Sequence, residues 1–152
     1  MGPLHTLKLR VYGKEGTLDI YKQLKGIVFN EYHSLFSLCV FLGFKNNKKF
    51  SAKKKKEQLF WSETFTPHEY ASFYSLIIKL SEDGTYDLLK DGEGTLNLLQ
   101  EYADAGLNLF LDSKEIKPFV RKENDRITMD FSARDHIQKQ VMYYVYTLYQ
   151  GI

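Results

Sequence analysis

The sequence predicts a mostly α-helical α+β domain of about five helices, with a small antiparallel sheet from an N-terminal strand and a late hairpin. Three observations predict it. Long stretches carry apolar residues at helical spacing. Two short stretches alternate with a period of two. The breakers Gly, Pro, Asn and Asp fall between them. A length of 152 residues suits one domain, residues 1–152, with a sizeable core.

The elements follow in order. Leu4 to Tyr12 reads as a strand, in which Leu7, Leu9 and Val11 alternate with Lys8, Arg10 and Tyr12 before Gly13 and Gly16 break it. Leu18, Tyr21 and Leu24 have the spacing of a short helix ended by Gly26. Phe29 to Phe44 is a stronger helix, with Asn30 as its cap, Glu31 in its first turn and Gly43 at its stop. Its apolar positions run nearly all round, which predicts a central helix. A helical turn is expected over Glu57 to Trp61. Thr66-Pro67-His68-Glu69 is a capping box with proline at the first helical position, opening a helix to about Leu80. Asp83-Gly84 marks a turn. A second long helix runs from about Glu93 to Leu111, and Gly106 inside it predicts close packing or a kink, since glycine costs about 1 kcal/mol there. Glu123-Asn124-Asp125 turns a hairpin between Phe119–Arg121 and the alternating run at Ile127, Met129 and Phe131. The N-terminal strand is expected as third member of that sheet. Ser132-Ala133-Arg134-Asp135 is another capping box, opening the last helix to about Tyr149.

The charge pattern is uneven. Lys45, Lys48, Lys49, Lys53, Lys54, Lys55 and Lys56 fall within twelve residues with no acid between them. The chain has 21 basic and 19 acidic side chains, so without these seven lysines it would stand at −5 instead of +2. Such a segment is a solvated loop, a nucleic-acid contact or a site for an acidic protein surface. Phosphate contacts need only positive charge, and Phe50, Phe60 and Trp61 flank the run, where they could stack on exposed bases. No arginine lies inside it, which argues against reading of base edges. The acids Glu82, Asp83, Asp87, Asp91, Glu93, Glu101 and Asp104 form a counterpart.

Catalytic chemistry finds little support. The single cysteine, Cys39, lies in an apolar run, so it forms no intrachain disulfide and reads as a small buried hydrophobe. His5, His33, His68 and His136 are scattered without metal-ligand spacing. Asp91-Gly92-Glu93-Gly94 lacks the spacing and closing glutamate of a calcium loop. Asp112, Glu115 and Lys117 form an acid followed by Glu-x-Lys, too compressed for a magnesium nuclease. There is no Gly-rich phosphate cradle and no nucleophile elbow. No cofactor is expected. No signal peptide or membrane-spanning run is visible, so a cytoplasmic protein with no membrane contact is expected.

The last helix is the interaction candidate. Ile137, Val141, Tyr144, Val145 and Leu148 form one stripe, and Met142, Tyr143, Tyr146 and Tyr149 widen it to most of the circumference. Burial by two surfaces is expected, with Val141, Tyr144, Val145 and Leu148, or the face opposite them, as the interface. A homodimer or a larger protein could supply the second surface.

The run Phe41-Leu42-Gly43-Phe44-Lys45-Asn46-Asn47-Lys48-Lys49 resembles a small bacterial family, the fourth Dnd system-associated proteins. Phe60-Trp61 and Phe65 correspond to its aromatic segment. Glu101-Tyr102-Ala103-Asp104-Ala105-Gly106-Leu107 is similar to its Glu-Glu-Tyr-Ala-Asn-Gly-Gly segment. The resemblance covers residues 25–112. It departs at Asn47, where glycine is usual, and at Lys48 and Lys49, where arginines are usual. It implies an accessory protein of a DNA phosphorothioation or phage-defence locus, and it carries over no catalytic residues. The expectation is a non-enzymatic subunit that docks on a larger defence-system protein and touches DNA or an acidic surface through its lysines. The alternatives are a stand-alone DNA-binding module or regulator and, behind it, a small metal-dependent nuclease.

Overall fold

The computed structural model describes residues 8–50, 56–80, 92–132 and 134–150. Within them the chain forms β1 (Arg10–Lys14), α1 (Thr17–Leu24), α2 (Tyr32–Lys45), β2 (Lys56–Trp61), α3 (Pro67–Leu80), α4 (Gly92–Asp112), β3 (Val120–Glu123), β4 (Arg126–Met129) and α5 (Arg134–Gln150). The class is the expected one, mostly helical with small antiparallel pairing.

The centre is the crossing of α2 on α4. Both helices present small residues at the contact. A Cβ on Gly106 would run into the Cys39 carbonyl, and a Cβ on Gly43 would run into the Tyr102 carbonyl. Glycine at both positions therefore lets the two backbones touch. Gly106 thus marks close packing. Gly43 does not stop α2, which continues to Lys45. The stop comes from the asparagines. Asn47 adopts φ +53°, and Lys48 N–H and Asn47 N–H donate to the Gly43 and Phe44 carbonyls at 2.8 and 3.0 Å. This pair of bonds is a Schellman ending, which wants glycine or asparagine at its left-handed residue. At the other end of α2 the cap position is Glu31, not Asn30, and no side chain caps it.

The aromatic surplus goes largely inside. Phe36 is fully buried and meets Phe60, Phe65 and Phe73 with ring centres 5.5, 5.7 and 6.3 Å apart. The edge-on contacts with Phe60 and Phe73 add about 0.5–1.5 kcal/mol each beyond burial. α3 opens on the expected capping box: Thr66 N–H donates to Glu69 Oε1 at 2.8 Å, and Glu69 N–H returns to Thr66 Oγ1 at 3.2 Å. Of the cap expected at Ser132, residue 133 lies outside the described residues, and so does the Asp83-Gly84 turn, within 81–91.

The sheet differs from expectation. There are two separate two-stranded sheets among the described residues, β1 with β2 and β3 with β4. The β3–β4 hairpin turns at Asn124 and Asp125, with φ of +49° and +64°, as the Glu-Asn-Asp sequence predicts. The N-terminal strand does not join it. It pairs instead with Lys56–Trp61, the segment expected as a helical turn. The physical reason is a bulge. Val11 faces Phe60 and Tyr12 faces Gln58, which leaves Leu59 as an extra residue turned into the core. That insertion breaks the two-residue period by which a strand is recognised.

Side chains from helices finish both small sheets. On β1, Tyr12 N–H donates to Gln100 Oε1 at 2.8 Å and Lys14 N–H to Asp104 Oδ1 at 3.1 Å. Gln100 and Asp104 lie one helical turn apart on α4, so their spacing matches alternate strand residues. On β4, Gln23 of α1 accepts from Met129 N–H at 2.8 Å and donates to the Ile127 carbonyl at 3.0 Å. Arg126 grips Asp19 through two bonds of 2.8 and 3.0 Å.

The crossing makes a stability prediction. Gly106→Ala will destabilise the protein by about 3 kcal/mol or prevent folding, because a rigid backbone carbonyl occupies the methyl's place. Asn47→Gly will change stability by a few tenths of a kcal/mol at about the level expected for an αL site. Urea unfolding of the two variants beside wild type checks both.

Candidate nucleic-acid interface

The Schellman turn throws the chain off the end of α2 and leaves Lys48 and Lys49 exposed. Phe50 N–H then donates to the Glu101 carbonyl at 3.0 Å, which pins the segment to the middle of α4. Residues 51–55, with Lys53, Lys54 and Lys55, lie outside the described residues. Lys56 opens β2 and is exposed. Lys45, also exposed, turns away from this group. Its ammonium donates to the Leu148 carbonyl of α5 at 3.2 Å, where it meets the negative end of that helix.

The outward face of the β1–β2 ribbon continues the basic surface. Register pairs share a face, so Arg10 sits with Trp61, Tyr12 with Gln58, and Lys14 with Lys56. Val11 and Gly13, on the opposite face, are buried. The Arg10 guanidinium lies 5.0 Å from the Trp61 ring centre, and the Lys14 ammonium lies 4.9 Å from that of Phe50. Trp61 is 38% exposed. Sequence reasoning did not place Arg10, Tyr12 or Lys14 in the site, because the bulge hid β2. The adjacency of Phe60-Trp61 to a lysine run was the available signal.

A small cleft separates this ribbon from α4, lined by Lys14, Lys56, Asn97, Gln100, Glu101 and Asp104. Burial pushes the Asp104 carboxyl up to about 6, against the Lys14 backbone N–H and the charges of Lys14 and Lys56, which pull it down. Asp104 is thus a poorly solvated acid beneath a basic surface.

The stripe of α5 is turned into the chain itself, and the face opposite it is exposed. Val141 and Tyr144 belong to the core of the chain itself, with Tyr144 edge-on to Phe110 at 5.7 Å. Burial together with the nearby Glu115 charge holds the Tyr144 phenol up at about 12. Val145 and Leu148 are half-buried and line a groove of about 800 Å³ between α2, α3 and α5. These residues form the narrow apolar band that a helix needs for one core contact. The exposed face carries Met142, Tyr143 and Tyr146, at 72%, 55% and 60% exposure.

Titratable groups elsewhere serve structure. Cys39 is fully buried in α2, and burial raises its thiol far above the usual range. His33 Nδ1 meets Glu69 at 3.0 Å, and the Ser37 hydroxyl donates to the same carboxylate at 2.6 Å. One glutamate therefore caps α3 and ties it to α2. Asp112 ends α4, while Glu115 and Lys117 follow in the next turn and 3₁₀ helix, so the Glu-x-Lys group is not on strands. Asp91 of the calcium-like segment lies outside the described residues, as do Glu82, Asp83 and Asp87. Among the described residues no three His, Cys, Asp or Glu side chains are grouped to hold a metal, and no helix is long and apolar enough to cross a membrane. Compared with protein-family models, curated proteins and solved structures, the chain matches none.

Asp104 sets a pH dependence. Its carboxyl titrates near 6 in the folded chain and near 3.8 unfolded, so the folded state holds the proton more tightly. The group therefore costs stability above about pH 6, and the cost disappears as pH falls below about 4. Asp104→Asn keeps an acceptor for Lys14 N–H and will be more stable than wild type by about 1–3 kcal/mol at neutral pH. That gain will shrink toward pH 4. Thermal unfolding across the range checks it.

Proposed function

We propose that this chain is a non-enzymatic accessory subunit of a bacterial anti-phage defence system. It docks on a larger protein and contacts DNA, or an acidic surface, through its lysine-rich segment. The observation that carries the reading is the lysine run itself. Lys48, Lys49 and Lys56 are exposed, and among the described residues no ion pair engages them. Charges held in that way cost little desolvation and remain available to a polyanion. The resemblance to the Dnd-associated family supplies the setting. Two of its segments pack on each other here, Gly43 against Tyr102. A cytoplasmic location accords with this setting.

The docking surface in this reading is the exposed side of α5. Met142, Tyr143 and Tyr146 lie at three- and four-residue spacing and offer apolar area with polar tips, the composition of an interface centre. A second copy or a larger defence protein fills the role. A stand-alone nucleic-acid-binding module is the second reading, favoured by the Arg10–Trp61 pair beside the lysines. A nuclease would need its carboxylates on adjoining strands, and Asp112 and Glu115 do not have that placement.

Two experiments test the proposal. In the first, affinity for a labelled DNA 20-mer is followed against salt. Each lysine on a phosphate adds about 0.7–0.9 to the slope of log affinity against log salt, so Lys48→Gln, Lys49→Gln and Lys56→Gln together will flatten it by about 2–3. An affinity indifferent to both salt and mutation would place the contact elsewhere. In the second, products of neighbouring genes are captured on the pure protein, with light scattering for self-association. Tyr143→Ser with Tyr146→Ser will abolish capture or dimerisation and leave the fold intact. A strict monomer that captures no neighbour favours the stand-alone module.

A further inference from the structure

We infer that the outward face of the β1–β2 ribbon is a stacking platform for single-stranded nucleic acid, with Trp61 and Tyr12 as the base-contacting rings. The inference rests on the basic-surface reading above and specifies what that surface holds. Three observations support it.

The first is the register. Arg10 with Trp61, Tyr12 with Gln58 and Lys14 with Lys56 alternate rings and cations along one face. From the first pair to the last is four residues of strand, about 13 Å. A single strand offers the matching alternation of flat bases and phosphates, because unpaired bases expose faces that rings can cover. In a duplex those faces are already stacked on one another.

The second is the state of the indole. Trp61 is 38% exposed although it is among the most apolar side chains of the chain, and Arg10 lies over its ring at 5.0 Å. The guanidinium orients the ring from one side and brings a positive charge to the place where a stacked nucleotide's phosphate would come. Neither role requires a ring buried in the core.

The third is charge complementarity. Arg10, Lys14 and Lys56 line the ribbon, and Lys48 and Lys49 follow where Phe50 is pinned to α4. Three of the acids nearby are turned to other work, while Glu101 lines the adjoining cleft with Lys14 and Lys56. Glu57 accepts from Gly16 N–H and Leu18 N–H, each at 3.0 Å, at the start of α1. Asp104 is occupied by the Lys14 N–H. Glu63 pairs with Lys8 at 3.8 Å at the far end.

The chain has one tryptophan, so its intrinsic fluorescence reports on the platform directly. The experiment titrates the protein with a dT 20-mer and, separately, with a 20-base-pair duplex, following tryptophan emission and the anisotropy of a labelled strand. Binding of the dT 20-mer is expected to quench Trp61, with the duplex bound more weakly and with little quenching. Trp61→Ala is expected to weaken dT binding about tenfold or more, and Trp61→Phe to restore most of it. Arg10→Gln is expected to weaken it about threefold. Circular dichroism checks the fold of each variant; should Trp61→Ala fail to fold, wild-type quenching and Arg10→Gln decide.

Salt-dependent dT binding without quenching, and with no loss in the Arg10 and Trp61 variants, would overturn the platform and leave the lysine reading standing. Tighter binding of the duplex would overturn it in the same way. No binding of either nucleic acid would remove both the platform and the DNA contact, leaving an acidic protein surface as the partner of the lysines.

Discussion

The close crossing of α2 and α4 is the constraint on which the rest of the molecule depends. Two glycines let the helix backbones meet, Gly43 at the Tyr102 carbonyl and Gly106 at the Cys39 carbonyl. Because the helices touch, the chain leaving α2 passes directly over α4, and Phe50 N–H finds the Glu101 carbonyl. Because α4 is held there, Gln100 and Asp104 reach the free side of β1. The lysine-bearing turn and the ribbon beside it are thus both positioned by one helix pair. A larger side chain at either glycine would separate the backbones and displace the segments that α4 holds in place.

The second design feature is economical use of side chains as substitutes for strands. A two-stranded sheet leaves rows of backbone groups unpaired, and burying such groups without partners is costly. Gln100, Asp104 and Gln23 supply those partners. The substitution has an electrostatic consequence at Asp104. Holding a carboxylate against a strand takes it out of water, which is why its proton leaves only near pH 6. Lys14 and Lys56 offset part of that cost by drawing the carboxyl back down.

The fold was largely legible in the sequence, for identifiable reasons. Helices of fourteen residues or more, such as α2 and α3, announce themselves through apolar spacing, and Thr66 with Glu69 marks a start that the bonds reproduce. The Asn124-Asp125 turn was equally local. What stayed hidden was non-local. β2 carries a bulge at Leu59, and its partner lies more than forty residues away, so neither periodicity nor neighbours revealed it. The same gap hid the site: Arg10 and Trp61 meet only once the strands pair. For α5 the sequence showed an apolar surface too wide for one contact but not which part faced in. The structure turns Val141 and Tyr144 inward and leaves Met142, Tyr143 and Tyr146 outside.

A single physical picture joins these elements: a closely packed helix pair that presents a basic ribbon on one side and an aromatic helix face on another. Its central claim is that polyanions are held on the surface that α4 positions. Hydrogen exchange with and without a bound oligonucleotide tests this most directly, because it reads every backbone segment at once. The account predicts slower exchange on binding in residues 8–14, 45–50 and 56–61, with the exposed half of α5 unchanged. Protection confined to α5, or none in those three segments, would contradict it.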